Sequence, residues 1–254
     1  PKSIARYFEH RENCWGIRRA VNSSTAQRLQ MIQAIDAWAN ERSAEAPRAD
    51  PALRARMLLE RQKLERILQT EVDDRAVAKA GASLKQKLFP YQLEGVARFL
   101  SSGRMVLADD MGLGKTAQAI ASCHVLFATR KVRRGLIVVP AALKSQWARE
   151  WKAFSDAPVE IVDGPPSLRH EQYKNCQSGF LLINYEQVLK DLPQLLQFAP
   201  DIVVLDEAQR IKNWAAKTSV YVKQLQPTWR LVLSGTPFEN RLDELASLVE
   251  WVDD

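Results

Sequence analysis

The feature that most constrains the fold is the segment at residues 108–116, which reads Ala-Asp-Asp-Met-Gly-Leu-Gly-Lys-Thr. An apolar run at 105–107 precedes it, and a helix-forming stretch at 117–121 follows it. A strand, a glycine loop and a helix in this order form a phosphate cradle. The strict motif begins with Gly where this chain has Asp109, so the segment matches the looser form of the motif. Alone, it is also compatible with an ordinary helix N-terminus.

The residue types of this loop suit a triphosphate. Gly112 and Gly114 let the backbone approach an anion and turn amide groups toward it. Lys115 can reach the β- and γ-phosphates, and the Thr116 hydroxyl can ligate Mg²⁺. The candidate nucleotide-binding residues of the loop are Asp110, Met111, Gly112, Leu113, Gly114, Lys115 and Thr116.

Short apolar runs alternate with helical patterns through the rest of the chain. The runs lie at 136–139, 180–183, 202–205 and 230–233, and the helical patterns at 143–154, about 215–224 and 242–252. Near-continuous apolar strands separated by helices predict an α/β fold with a parallel sheet covered on both faces. Polar loops follow three of the strands, so we expect them to meet at one edge of the sheet.

Two carboxylates, Asp206 and Glu207, directly follow the run at 202–205. Carboxylates at this place are costly unless they face a cation, so we assign Asp206 to Mg²⁺ and Glu207 to the activation of a water. A plain helix cap is the alternative. Ser234, Gly235 and Thr236 follow the run at 230–233, where hydroxyl groups could sense the γ-phosphate, although these are also generic turn residues.

Gln92 lies before the phosphate loop, in the sequence Leu-Phe-Pro-Tyr-Gln at 88–92. Its amide offers a donor and an acceptor, which an adenine edge requires, and a neighbouring aromatic ring can stack on the base. Read alone, the segment is equally compatible with the start of an ordinary helix that buries an aromatic residue.

The amino-acid composition excludes several other classes of protein. The chain has 254 residues, with 46% hydrophobic and 26% charged residues and no apolar stretch long enough to span a bilayer. Its three cysteines are far apart, which favours a reducing compartment over a disulfide framework or a zinc site. The net charge of +6 lies in residues 1–88, with 17 Lys and Arg against 11 Asp and Glu. This excess suits either a polyanion or a solvated helical surface.

The N-terminal part follows a different pattern. Capped, amphipathic stretches begin near residue 25 and at Asp50-Pro51. Residues 72–80 either extend the second helix or restart it, and Gly81 ends it. Residues 1–22 fit no clear pattern. We therefore predict a basic helical extension over 1–85 and a separate nucleotide-binding domain over 86–254.

Taken together, six ordered motifs resemble the first RecA-like lobe of the SWI/SNF-type ATPases, which are superfamily-two, helicase-like DNA translocases. The resemblance covers about residues 88–252 and implies a RecA-like P-loop fold. The last two motifs look most like those of bacterial members. The motifs lie at 89–92, 109–116, 138–140, 183–186, 206–213 and 233–242.

The resemblance implies a role for each matching residue. Gln92 would contact adenine, Lys115, Glu207 and Gln209 would be catalytic, and 234–236 would couple the nucleotide to movement. Backbone contacts to DNA would come from Pro140, Lys144, Ser145, Asn184, Tyr185, Lys212 and Asn213. For Lys144, a solvated helix face is an equal alternative. Gln209 stands where unwinding helicases often carry His, which argues against a plain helicase.

The sequence thus predicts the ATP-binding lobe of a double-stranded-DNA translocase that uses ATP and Mg²⁺. A second RecA-like lobe would complete its ATP site with arginines, and we expect residues 1–254 alone to hydrolyse ATP very slowly. An RNA helicase, or a nucleotide-gated module that acts on RNA polymerase or a defence complex, is the alternative. Residues 1–85 could bind a protein partner, and no membrane is involved. The expected location is the bacterial cytoplasm near the nucleoid, or the nucleus of a eukaryote.

Overall fold

The structure is a computed structural model of the chain, and it divides into two compact units, Pro1–Glu71 and Val72–Asp254. None of the helices in the described part is long and apolar enough to cross a bilayer. The residues that the structure describes are 5–11, 14–18, 21, 25–40, 51–70, 73–207, 218–235 and 251–252.

The first unit contains a hairpin and two helices. Strands β1 (Phe8–Arg11) and β2 (Cys14–Ile17) pair antiparallel, with Phe8 opposite Ile17. Helices α1 (Thr25–Asn40) and α2 (Pro51–Thr70) pack together and confirm the two helical patterns of the sequence. The hairpin lies within residues 1–22, which fit no clear pattern in the sequence, so the extension predicted as helical also contains a two-stranded sheet. The buried residues of this unit are Tyr7, Val21, Met31, Ile32 and Leu64.

The second unit is built on a six-stranded sheet. All of its strand pairs are parallel, and the strands follow the order β3-β8-β7-β4-β6-β5. The strands are β3 (Arg104–Leu107), β4 (Arg134–Val139), β5 (Val159–Ile161), β6 (Gly179–Asn184), β7 (Ile202–Asp206) and β8 (Trp229–Leu233). The predicted α/β fold with a parallel sheet is confirmed.

Hydrophobic cores lie on both faces of this sheet. Within β4, Ile137 and Val139 belong to one core, whereas Leu136 and Val138 belong to the other. Side chains alternate between the faces of a strand, so a continuous apolar run requires cover on both sides. The described helices of the unit are α3 (Asp74–Ala82), α4 (Pro90–Ser102), α5 (Lys115–Ala128), α6 (Lys144–Phe154), α7 (Pro166–Asn175), α8 (Tyr185–Lys190), α9 (Leu192–Phe198) and α10 (Thr218–Val222).

The sequence prediction missed four of these elements, namely β5, α7, α8 and α9. Strand β5 has three residues and an exposed Glu160 between two half-buried residues, so it lacks a long apolar run. The predicted helix at 215–224 corresponds to α10 within the described residues. Most of the predicted helix at 242–252 lies outside them.

Helix α3 belongs to the second unit. Its Ala80 lies in the same core as residues of α5, and His124 of α5 places Nε2 3.1 Å from the Ala80 carbonyl oxygen and 2.8 Å from Ser83 Oγ. Burial lowers the pKa of His124, which favours a neutral ring in this contact. The structural division therefore comes earlier in the chain than the predicted boundary between residues 85 and 86, because α3 packs on α5.

A buried ion pair joins α7 to the start of α9. Arg169 donates from Nε to Asp191 Oδ2 at 2.7 Å and from Nη2 to Oδ1 at 2.6 Å, and Tyr173 donates its hydroxyl to Oδ2 at 3.0 Å. Burial alone raises the pKa of Asp191, but these hydrogen bonds outweigh it and hold the pKa below its usual value. The carboxylate is therefore charged and compensated inside the fold.

Replacing Arg169 with leucine is expected to lower the free energy of unfolding by about 3–5 kcal/mol, because it leaves the Asp191 carboxylate buried without its partner. Denaturant unfolding measures this change. Arg149→Leu, on the exposed face of α6, is the control and should have little effect. The double variant Arg169→Leu/Asp191→Leu should recover much of the loss. An unchanged midpoint in the single variant would contradict the prediction.

Candidate functional site

The phosphate loop connects β3 to α5. Gly112 has a φ of 84° and Gly114 a φ of 73°, both in the left-handed region that favours glycine. A Cβ at Gly114 would lie 2.4 Å from Gln92 Nε2, so a larger residue would displace the Gln92 side chain in addition to straining the backbone. The loop therefore adopts a backbone conformation that depends on its two glycines, directly before the helix.

Lys115 is held by the backbone of its own loop. Its Nζ donates to the carbonyl oxygens of Asp109 at 2.7 Å and Asp110 at 2.9 Å. Gln118, one turn further along α5, donates from Nε2 to Asp109 Oδ2 at 2.8 Å. Asp109, which replaces the first glycine of the strict motif, thus fixes the loop to α5 through its side chain.

Gln92 is buried, with an exposed fraction of 6%, and connects α4 to the phosphate loop. Its Oε1 accepts from the Phe89 amide at 3.0 Å, and its Nε2 donates to the Leu113 carbonyl oxygen at 3.2 Å. The Tyr91 hydroxyl donates to the same carbonyl oxygen at 3.2 Å. The rings of Phe89 and Tyr91 are exposed and stack, with centroids 6.0 Å apart. The predicted contact between Gln92 and adenine stays a prediction.

Asp206 ends strand β7 and is buried, with an exposed fraction of 7%. Its Oδ2 accepts from Trp147 Nε1 at 2.7 Å, and its carbonyl oxygen accepts from the Tyr185 hydroxyl at 2.8 Å. Burial raises the pKa of Asp206 to about 6, although the hydrogen bond from Trp147 acts in the opposite direction and nearby Glu207 adds to the rise. A carboxyl group in this environment gains from a nearby cation.

Glu207 has a φ of 50°, which is uncommon for a residue other than glycine. Strained backbone of this kind costs of order 1–3 kcal/mol and clusters at functional sites. A Cβ at Gly235 would lie 3.3 Å from Met111 Cγ and 3.8 Å from Glu207 Oε1. Three loops that are far apart in sequence therefore come close together at this point.

The loop that follows strand β8 begins beside the start of the phosphate loop. The Ser234 amide donates to the Leu107 carbonyl oxygen at 3.1 Å, which joins the ends of β8 and β3. The Ser234 hydroxyl oxygen is buried and has no hydrogen-bond partner among the described residues. Ser234 and Gly235 are thus at the predicted edge of the sheet, and Thr236 lies outside the described residues.

A cavity of about 530 Å³ opens at this edge. It is lined by residues from the phosphate loop, α4, α6 and the end of β7. Eight of its lining residues were predicted from the sequence, namely Gln92, Met111, Gly112, Gly114, Lys115, Thr116, Asp206 and Glu207. Asp110 and Leu113 belong to the same loop but do not line the cavity.

The comparison with protein families decides the identity of this unit. Residues 91–253 match the model of the SNF2-related domain. The chain belongs to this family. The match extends over most of the second unit and includes Gln92, the phosphate loop and the segments that follow β7 and β8.

Curated proteins that act in chromatin remodelling or carry the name of a DNA repair protein are similar to about two thirds of the chain. A chromatin structure-remodeling complex subunit, snf21 of Schizosaccharomyces pombe, is 35% identical over 65% of this chain. The DNA excision repair protein ERCC-6-like of Bos taurus is 34% identical over 66% of it. The matched region spans only 15% of each of these two relatives.

A solved SNF2 structure shares the fold. The Sulfolobus solfataricus SWI2/SNF2 ATPase core, solved in complex with double-stranded DNA, matches with a TM-score of 0.60 and 30% sequence identity. The match covers 66% of this chain and 36% of that one. The predicted RecA-like fold is thereby confirmed, whereas the bacterial character of the motifs stays a prediction.

Two predicted DNA contacts are not placed at the surface. Lys144 is buried, and its Nζ donates to the Val162 carbonyl oxygen and to Asp163 Oδ1, both at 2.7 Å. This ion pair corrects both expectations for Lys144, since its ammonium is neither on a solvated face nor available to a phosphate. Tyr185 is also buried, with its hydroxyl on the Asp206 carbonyl oxygen, because the packing of α8 turns it inward.

The other residues predicted to contact DNA are exposed, half-buried or outside the described part of the chain. Ser145 is exposed, and Pro140 is half-buried at the end of β4. Asn184 is half-buried and caps α8 by accepting from the Gln187 amide at 2.9 Å. Gln209, Lys212 and Asn213 lie outside the described residues.

Sequence reasoning missed the part that α6 plays in the site. The cavity is lined from this helix by Gln146, Trp147, Glu150 and Phe154, and by Leu143 directly before it. The amphipathic pattern predicted the helix, but it did not indicate that Trp147 on the buried face of this helix contacts Asp206. A tryptophan indole, which usually has a hydrogen-bond partner when buried, is the one available signal.

Proposed function

We propose that the cavity binds ATP together with Mg²⁺, and that this chain supplies the first lobe of an ATP-dependent double-stranded-DNA translocase. The observation that best supports this proposal is that the phosphate loop and the Asp206–Glu207 pair line one cavity in a member of the SNF2-related family. A phosphate loop with its lysine and two carboxylates, at strand ends on the same edge of one parallel sheet, form the arrangement that phosphoryl transfer from a nucleotide requires.

The loop residues are proposed to hold the nucleotide. Amides at Gly112 and Gly114 would face the phosphates, and Lys115 would exchange its bonds with the carbonyl oxygens of Asp109 and Asp110 for bonds to phosphate oxygens. Gln92 and the stacked rings of Phe89 and Tyr91 lie beside this loop, which supports a contact with the adenine.

The residues present fit a magnesium ion. Thr116 and Asp206 both line the cavity and offer the oxygen ligands that Mg²⁺ prefers. Bound with the nucleotide, Mg²⁺ supplies a Lewis acid that stabilises charge on the transferring phosphoryl group. Glu207, the next residue after Asp206, would orient and deprotonate the attacking water, and Gln209 with Ser234, Gly235 and Thr236 would couple this site to movement.

The DNA contacts that we propose are fewer than the sequence suggested. Pro140, Ser145 and Asn184 remain, with Lys212 and Asn213 as further predictions. The Ser145 hydroxyl group and the Asn184 side-chain amide would donate to phosphates, and Pro140, which has no N–H, would shape the loop beside them. Such contacts give affinity without sequence preference. A protein partner for residues 1–85 and a location at the nucleoid or in a nucleus stay predictions.

The stimulation of ATP hydrolysis by nucleic acid tests the proposal. By the full-length protein we mean a form that carries a second RecA-like lobe in addition to residues 1–254. We expect it to hydrolyse ATP fastest with blunt duplex DNA, less with single-stranded DNA and least with single-stranded RNA. Stimulation mainly by RNA would favour an RNA helicase, and no stimulation by any nucleic acid would favour the interaction module.

Residues 1–254 alone are expected to bind ATP but to hydrolyse it very slowly. The resemblance implies that arginines of a second lobe complete the site, and such an arginine is worth about 10³–10⁵ in rate in related enzymes. A comparison of turnover between this chain and the full-length protein, with duplex DNA present, measures the difference. Equal turnover numbers would contradict the prediction.

A further inference from the structure

The carboxylate end of β7 is held from two helices. Trp147 of α6 has an exposed fraction of 2% and donates from Nε1 to Asp206 Oδ2 at 2.7 Å. Tyr185 of α8 has an exposed fraction of 5% and donates its hydroxyl to the Asp206 carbonyl oxygen at 2.8 Å. One bond fixes the side chain and the other fixes the backbone of the same residue.

The same two helices begin at the proposed DNA-binding segments. Helix α6 follows residues 140–143, and α8 directly follows Asn184. The starts of both helices bind one carbonyl oxygen, that of Val162, through Lys144 Nζ at 2.7 Å and Gln187 Nε2 at 2.9 Å. The two segments and Asp206 are therefore joined by short, buried polar contacts.

We propose that Trp147, together with Tyr185, is a positioning residue that transmits DNA binding at Pro140, Ser145 and Asn184 to the Asp206 carboxylate. The inference rests on the proposed function of this site. Hydrogen bonds weaken steeply with a change of angle, so a small shift of α6 or α8 moves the carboxylate or releases it. DNA that fixes the starts of both helices thereby fixes the orientation in which Asp206 meets Mg²⁺.

A purely structural role is the competing explanation, because a buried tryptophan also fills the core. The chain offers a matched control in Trp151, one turn later on α6. Trp151 is fully buried and donates from Nε1 to the Ala157 carbonyl oxygen at 2.8 Å. Trp147→Phe and Trp151→Phe remove the same atoms and the same kind of donor from one helix, but only the first touches Asp206.

The first experiment measures ATP hydrolysis by the full-length enzyme, with and without duplex DNA, over a range of Mg²⁺ concentrations. Trp147→Phe should lower the DNA-stimulated kcat about tenfold or more, as expected for a lost hydrogen bond to a charged group. The Mg²⁺ concentration for half-maximal rate should rise, and the ratio of stimulated to basal rate should fall. Trp151→Phe should leave that ratio and the Mg²⁺ dependence unchanged.

A second pair of variants avoids any change of volume. Tyr185→Phe removes only the hydroxyl that binds Asp206, and Tyr173→Phe removes only the hydroxyl that binds Asp191. Tyr185→Phe should shift the Mg²⁺ dependence and the stimulation ratio in the same direction as Trp147→Phe, by a few-fold. Tyr173→Phe should lower the unfolding midpoint and leave both kinetic quantities unchanged.

The outcomes separate this inference from the proposed function. If the wild type responds to duplex DNA but Trp147→Phe and Tyr185→Phe match their controls, the positioning role is overturned and the translocase proposal stands. A wild type without DNA stimulation overturns both. If Trp147→Phe does not fold, Tyr185→Phe decides the question by itself.

Discussion

Replacing Lys115 with alanine is expected to abolish measurable binding of ATP. Lys115 is the only basic residue among the described residues that line the cavity, whereas Glu150, Asp206 and Glu207 place three carboxyl groups there. Without the ammonium group, a triphosphate would meet a predominantly acidic wall. Two charge-assisted hydrogen bonds to phosphate are lost, which predicts a rise in Kd of at least about a hundredfold.

Calorimetric titration with ATP and Mg²⁺ measures this effect on residues 1–254. Lys131→Ala removes the same charge from an exposed position after α5, and its Kd should stay close to that of the wild type. Thermal unfolding of Lys115→Ala without nucleotide serves as a check on the fold, since its two hydrogen bonds are to the carbonyl oxygens of its own loop. A wild-type Kd in Lys115→Ala would refute the assignment of the phosphate loop.

The sheet and the nucleotide edge could be predicted because both depend on local patterns. The run at 136–139 is apolar at each position, and such a run is stable only where both faces of a strand are covered. Polar residues directly after such strands must lie at the carboxyl edge, whatever the order of the strands. The sequence therefore predicts Asp206 and Gly114 at one edge, and in the structure both line the same cavity.

The missed features depend on contacts between distant residues. Lys144 looked like a surface cation, and only the packing of α6 beside the end of β5 brings it to Asp163 and buries it. The hydrogen bond between Trp147 and Asp206 joins residues 59 positions apart. Periodicity predicts which face of a helix is buried. It does not predict which polar atom of another element that face will contact.

The strain at Glu207 was also invisible in the sequence. A left-handed φ at a glutamate costs free energy that a glycine or asparagine would not, and the sequence alone gives no reason to expect it. In the structure Glu207 directly follows β7 and lines the cavity together with Asp206. The strain supports a functional role for this side chain rather than a role as a helix cap.

Replacing Glu207 with glutamine is therefore expected to stop turnover while nucleotide binding remains. Glutamine keeps the size of the side chain and its ability to accept a hydrogen bond, but it cannot take a proton from water. A general base contributes about 10²–10⁴ in rate, so we expect kcat of the full-length enzyme to fall by that factor. The Kd for ATP, measured by calorimetry on residues 1–254, should change much less.

Glu150→Gln is the matched control, because Glu150 lines the same cavity from α6 but does not follow a strand of the sheet. It removes one negative charge from the wall, as Glu207→Gln does, and most of the turnover should remain. A similar loss of kcat in both variants would mean that the total charge of the cavity matters and not a base at Glu207. Loss in Glu150→Gln alone would move the role of the base to α6, since the carboxylate that takes the proton must lie within hydrogen-bond reach of the attacking water.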